Sequence, residues 1–341
     1  MYYVGLDVHM RKTSVCILDD NGKRVKQFEV RGPRREVIPR LMELDGPFAV
    51  CFEASCGYGY LHGLLWKIAK RVVVAHPGQL RLIFRSKRKN DRLDAEKLAK
   101  LLFLGEVPTV YVPSANVRAW RALIEYRSRL IAKRTRTKNT LRALLRGLGI
   151  EVPAKLGLWT KLGRTWLASL QFDNELHTLQ RDMLLDELLM FNDQIRRLER
   201  QLHVYSQHNP AIILLRSIPG VGPRTSEAIA AYIDDPDRFH SSKSIGGYLG
   251  LVPSQDQSGS VNRLGHITRE GPATVRRLLT EAAWQAVRRS PRVRAYFERI
   301  AKGAPDRRKI ALVATAHYLA RVMLAMLKRG EFWQEELTMA A

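Results

Sequence analysis

The chain has 341 residues, 45% of them hydrophobic, so it can bury real cores and is long enough for two or three domains. Lysine and arginine number 57 against 33 aspartates and glutamates, a formal net charge of +24, which argues for a polyanionic partner and says nothing about fold. No basic stretch followed by an apolar run opens the chain, which argues against a signal peptide; Cys16, Cys51 and Cys56 lack paired metal-ligand spacing and fit a reducing cytosol.

An apolar, β-rich run at residues 2–8 carries Asp7, and a second follows at 13–18. Asp19-Asp20-Asn21-Gly22 reads as a hairpin turn into a third strand at 25–30. A further apolar strand at 48–52 ends at Glu53, ahead of a glycine-containing turn and an apolar helix over 60–69. Asp91 and Asp94 open a helical pattern over 91–102, and their i, i+3 spacing puts both on one helix face. The order is β-β-β-α-β-α, with acids on the first strand, at the end of the fourth and at a helix start. Singly these acids have plain explanations: an Asp in a first strand is commonly a turn or edge residue, and acids in a first helical turn suit the helix dipole. Together they match a metal-dependent nuclease of the ribonuclease-H type, where converging carboxylates hold divalent cations that clamp a phosphodiester. Oxygen ligands and a phosphate substrate favour Mg²⁺ or Mn²⁺ over zinc.

Residues 81–146 hold 18 basic and 5 acidic side chains, an excess of 13, so over half of the net charge lies in one-fifth of the chain. Arg88 and Lys89 precede the acidic helix. Beyond Pro113 the pattern turns helical. Ser114 is a plausible N-cap for a long basic helix to about residue 148, in which leucines alternate with Lys133, Arg134, Arg136 and Lys138. A second helix, at 174–205, places Leu188, Phe191, Ile195, Leu198, Leu202 and Tyr205 at steps of three and four, a short heptad seam. The seam suits an antiparallel coiled coil or a dimer interface, and equally packing within one subunit. The cations favour an RNA or DNA track over a merely solvated face.

Ile218-Pro219-Gly220-Val221-Gly222-Pro223-Arg224 looks like a helix-hairpin-helix turn, in which Gly220 and Gly222 would bare backbone N–H groups to a phosphate; a purely structural turn is the alternative. A Ser and Gly-bearing loop at 253–260 follows, with Ser254, Ser258 and Ser260, then Arg263, Gly265-His266-Ile267-Thr268-Arg269-Glu270-Gly271 and a basic helix with Arg276. A nucleophilic serine needs activation and a stabilising field; Arg263, His266, Arg269, Arg276 and the metal site are the candidates. The apolar run at 310–327 contains His317 and Arg321 and is expected as a buried helix, not a membrane span.

Gly5-Leu6-Asp7-Val8-His9, Phe52-Glu53-Ala54-Ser55, Asn90-Asp91-Arg92-Leu93-Asp94-Ala95, Ile218-Pro219-Gly220-Val221-Gly222, Gly250-Leu251-Val252-Pro253, Ser258-Gly259 and the 265–271 segment occur in the order found in the IS-one-ten family of insertion-sequence transposases, which the chain resembles over nearly its whole length. The resemblance implies a RuvC-like (ribonuclease-H-like) domain with a DEDD set matching Asp7, Glu53, Asp91 and Asp94, a coiled-coil segment, and a mainly helical transposase domain whose catalytic serine matches Ser258. It further implies a covalent phosphoserine link to DNA assisted by Mg²⁺, a homo-oligomer (dimer or tetramer) that joins one subunit's serine to another's carboxylates, and a non-coding bridge RNA that selects donor and target DNA. Pro272 departs from the pattern, since relatives commonly have Asn there, and this leaves the local helix start open.

The expected architecture is therefore α/β plus all-α: a nuclease domain over 1–112, coiled-coil helices over 113–205 and a transposase domain over 206–341. The expected protein is a cytoplasmic DNA recombinase with no membrane partner. A RuvC-like junction resolvase using activated water and a non-catalytic architectural nucleic-acid-binding protein are the rival readings.

Overall fold

The computed structural model describes residues 1–55, 57–83, 90–258 and 261–335, in two compact units, Met1–Ala115 and Asn116–Ala341. Cys56, Arg88, Lys89, Gly259 and Ser260 lie outside the described residues.

In the first unit β1 (Tyr2–Val8), β2 (Lys12–Leu18) and β3 (Arg24–Arg31) form an antiparallel meander, and β4 (Phe48–Glu53) and β5 (Arg71–Ala75) add in parallel, giving the order β3-β2-β1-β4-β5. The β2–β3 turn forms because Asp19 Oδ1 accepts from the amides of Asn21 (3.0 Å) and Lys23 (2.8 Å), while Gly22 takes φ +76°, a conformation cheap only for glycine. Alternate residues of each strand enter different cores, since successive side chains point to opposite faces. Val4, Leu6, Val50 and Phe52 pack with Leu41 of α1 (Val37–Met42) and Leu61 of α2 (Tyr58–Leu65). Ala49, Cys51, Val73 and Ala75 pack with Leu80 of α3 (Pro77–Ile83) and Leu98 and Leu102 of α4 (Asp91–Leu104). The sheet is thus covered on both faces. β5 and α3 were not anticipated: Arg71-Val72-Val73-Val74-Ala75 is a short apolar run without alternation, the pattern of a strand buried on both sides.

The second unit is helical. α5 (Ala115–Gly147) is followed by α6 (Lys161–Ser169) and α7 (Glu175–Ser206), whose N-cap Asn174 accepts from the Leu176 amide at 2.8 Å. α5 and α7 run antiparallel, because Arg127 bonds Glu199 (2.7 Å), Arg134 bonds Asn192 (3.2 Å) and Thr137 bonds Glu187 (2.9 Å) in descending order. Leu130 of α5 is buried against Phe191 and Ile195, so the heptad seam packs on the same chain; Tyr205 at its end is 53% exposed and rests on Trp120.

Next come α8 (Pro210–Arg216), α9 (Pro223–Ile233), α10 (Ser244–Tyr248), the hairpin β6 (Pro253–Ser258) and β7 (Val261–Ile267), then α11 (Ala273–Arg289), α12 (Pro291–Ala301) and α13 (Arg308–Arg329). Trp120 and Ile124 of α5 and Leu202 of α7 share one core with Leu215, Ile229, Leu279 and Leu319. α13 is long and apolar enough to cross a membrane by composition alone, yet Ala316, Leu319, Ala320, Met323 and Leu324 are fully buried in that core. Pro272 is the N-cap of α11, with Gly271 at φ +70° before it, so the helix begins at Ala273.

Candidate functional site

Two local features bring the acids of the first unit together. Leu6 of β1 pairs with Phe52 of β4, so Asp7 and Glu53 stand one residue further along, at the same edge of the sheet. Gly5 admits α4 against β1: a β-carbon at Gly5 would overlap the Ala95 carbonyl and the Ala99 amide. The Asn90 side chain caps α4, accepting from the Arg92 amide at 3.1 Å, which sets Asp91 and Asp94 in the first turn beside β1.

Asp7, His9 and Asp91 each offer a ligand atom within 4.8 Å of the others. His9 Nε2 lies 3.2 Å from Asp7 Oδ2 and 3.6 Å from Asp91 Oδ2. Asp94 Oδ1 accepts from Lys97 at 2.9 Å, and Glu53 is exposed at its strand end. Burial raises the Asp7 carboxyl above the ordinary aspartate range; His9 opposes this, and the charges of Asp91 and Asp94 add to it. The Lys12 ammonium binds Asp91 directly and lies 3.9 Å from Glu29, so a tethered cation already sits where the acids crowd. A hard divalent cation fits this donor set of carboxylates and one imidazole. His9 and Lys12 escaped the sequence reading; the Asp-x-His step at the end of β1 was the available signal for His9.

In the second unit Ser258 is exposed at the last position of β6, opposite Val261. Ser254 lies near the root of the same hairpin, its Oγ against Gly265. Arg263 is exposed across from Asp256. Arg269 adopts φ +57°. Arg276 donates to the carbonyls of Leu249 (3.1 Å), Gly271 (3.1 Å) and Glu270, and so braces the loops from which the hairpin emerges. Gly250 and Gly271 pack so closely on the backbones of Glu270 and Tyr248 that no β-carbon would fit at either. Ser258 is therefore exposed at the end of β6, and the hairpin that carries it is clamped at its base.

The Gly-x-Gly turn joins α8 and α9. Gly220 has φ +94° and presses on the α11 backbone at Ala286, a packing reason for that glycine, whereas space around Gly222 is open. Arg224 bonds the buried Glu227 at 2.7 Å, and Glu227 also accepts from Ser206 at 2.7 Å, so this guanidinium is engaged inside the fold. On α5, Lys133 and Arg136 are exposed, Arg134 bonds Asn192, and Lys138 lies over the Trp159 ring.

The sheet order, the acids at the ends of β1 and β4 and the acid-bearing first turn of α4 define a class: a mixed α/β unit compatible with a DEDD nuclease-like domain, on a chain that is otherwise mainly helical. Comparison with known proteins agrees. A DEDD family model described as "Transposase" matches residues 4–150, and one described as "Transposase IS116/IS110/IS902 family" matches residues 213–298. The chain belongs to the IS110 family of insertion-sequence transposases. It is 32% identical over 248 residues to a Pseudomonas aeruginosa protein named "Probable family 20 transposase", covering 71% of this chain and 72% of that one. It is 26% identical to the transposase for insertion sequence element IS1111A of Coxiella burnetii, covering 97% and 91%. It is 24% identical to a 43.6 kDa protein of insertion element IS110 from Streptomyces coelicolor, covering 98% and 96%.

Proposed function

We propose that this transposase cuts and rejoins DNA through Ser258, with Asp7, Glu53, Asp91 and Asp94 holding Mg²⁺ or Mn²⁺, as an RNA-guided homo-oligomer of the cytoplasm. The observation that carries the metal half is the convergence of Asp7, His9 and Asp91, with the Lys12 ammonium bound to Asp91. Asp7 and Asp91 would hold the cation with His9 beside them, and Glu53 and Asp94 would complete the set from the neighbouring strand end and helix turn. When bound, the cation supplies Lewis-acid stabilisation of charge on the phosphoryl oxygens.

Ser258 is supported by its exposure at the end of a hairpin whose base is braced. Its Oγ would attack phosphorus, forming an Oγ–P ester as one P–O ester bond breaks. The serine proton passes to a base or to water, and the departing oxygen takes up a proton. Arg263 stands on β7 two residues beyond the partner of Ser258, Arg269 sits at the root of the hairpin, and Arg276 supports the serine by holding the loops. The basic helices and the open Gly222 turn are the proposed nucleic-acid contacts. Domains over 1–112, 113–205 and 206–341 would divide metal chemistry, nucleic-acid tracking and the serine step. The bridge RNA and the oligomer rest on the family resemblance.

The test is Ser258→Ala. Covalent protein–DNA adducts, read by denaturing gel, should disappear while nucleic-acid affinity stays within about twofold, since one exposed hydroxyl adds little binding free energy. Persisting adducts would put the nucleophile elsewhere, and metal-dependent nicking by the variant would point to activated water.

A further inference from the structure

The cations of α5 fall into two groups. Toward the start of the helix some are engaged within the fold: Arg127 pairs with Glu199, and Arg121 donates to the carbonyls of Ala231 and Tyr232. Toward the end, Arg134, Lys138 and Arg142 follow at i, i+4 spacing on one face, and Arg164 of α6 stands near enough to act on Lys138. Among the described residues, none of these four is in an ion pair with a carboxylate.

Two of them rest on Trp159. Lys138 Nζ lies 5.0 Å and Arg142 Cζ 5.1 Å from its ring centroid. The ring is held by a rigid loop: Thr160 accepts from Gly163 at 3.1 Å and donates to the Gly157 carbonyl at 2.7 Å, and Gly163 packs directly on the backbone of Gly157 and Leu158. Beside it opens a cleft of about 760 Å³ lined by Arg142, Arg146, Trp159, Leu145, Ile150 and Leu158.

Gathering Lys138 and Arg142 on one half-buried ring, with Arg134 and Arg164 near enough to act on Lys138, costs stability. Burial, then Arg134, Arg142 and Arg164, push the Lys138 ammonium below its ordinary pKa, so the fold maintains this cluster at its own expense. An anion at the cluster would remove that cost. We propose that Lys138 and Arg142, held over the Trp159 ring, form with the neighbouring Arg164 a clamp for backbone phosphates of a nucleic acid, with the adjoining cleft accepting the sugar or base of the gripped strand. This deepens the nucleic-acid binding proposed above and rests on it. It adds Arg142, Arg164 and Trp159 to the contact set and places the strongest grip at the loop end of the helical pair.

The experiment compares the full-length protein with its Lys138→Met/Arg142→Met variant, using fluorescence anisotropy over a KCl series. The probes are a DNA duplex and a stem-loop RNA of matched length. The slope of log Kd against log salt should become shallower by about two, close to 0.9 per lost phosphate contact on B-DNA, for whichever probe occupies the clamp. The melting temperature should hold or rise as repulsion is relieved, and Lys138→Arg/Arg142→Lys should restore the wild-type slope. Unchanged slopes on both probes overturn the clamp, whatever happens to melting. A wild-type protein that binds neither probe would instead sink the broader nucleic-acid reading.

Discussion

Asp7 is a single residue held at a cost that the proposed cation would relieve. Burial and the nearby charges of Asp91 and Asp94 raise its pKa in the folded chain above the unfolded value of about 3.9. Between those two values the folded state binds the proton more tightly, so the contribution of Asp7 to stability falls as pH rises. The loss is complete above the folded-state value and persists at neutral pH. Asp7→Asn in EDTA at pH 7 should therefore melt above the wild type. Added Mn²⁺ should raise the wild-type melting temperature and leave the variant nearly unmoved. A variant that melts lower in EDTA, or responds to Mn²⁺ like the wild type, would remove Asp7 from the metal set.

At the scale of elements, the site depends on how closely α4 approaches β1. Gly5 contributes no side chain; its value is the absent β-carbon, since any larger residue meets the α4 backbone at Ala95 and Ala99. Gly5→Ala should destabilise the fold by about 3 kcal/mol, the upper range for overpacking, as read by urea denaturation. Because Asp91 rides on the displaced helix, cation affinity should fall in folded protein by tenfold or more, the scale of misplacing a supporting group. A cation titration at low denaturant checks this; normal affinity would mean that α4 does not set the site. Much of this was legible beforehand. The strand positions of Asp7 and Glu53, the helix start at Asp91 and the Asp19–Gly22 turn all follow from local pattern and capping chemistry. β5 was missed because a short, wholly apolar run lacks a diagnostic period. His9 was missed because only tertiary contact brings its ring to Asp91.

For the whole molecule, the question is where a net charge of +24 is felt. Affinity for a non-specific 20-bp duplex should drop by roughly 10³ between 50 and 200 mM salt, as for proteins that neutralise several phosphates. A nearly flat salt dependence would mean that the excess cations are solvated surface. Ion pairs within the fold direct the charge: Arg127, Arg224 and Arg277 are spent on Glu199, Glu227 and Glu281. The proposed clamp at Trp159 is where the remaining charge would meet a polyanion. Arg224 illustrates the limit of motif reading, since its place after a glycine turn suggests a phosphate contact while its guanidinium serves a buried glutamate.

The amino-acid sequence alone determined the family, the strands that carry Asp7 and Glu53, the helix start at Asp91, and the acid and serine candidates, because periodicity, caps and motif order are local and survive as text. Only the tertiary structure decided which cations are neutralised, that His9 and Lys12 join the acids, and that the heptad seam closes on α5 of the same chain. These depend on side chains far apart in sequence meeting at a few ångströms, and ion pairing and desolvation act only at that range.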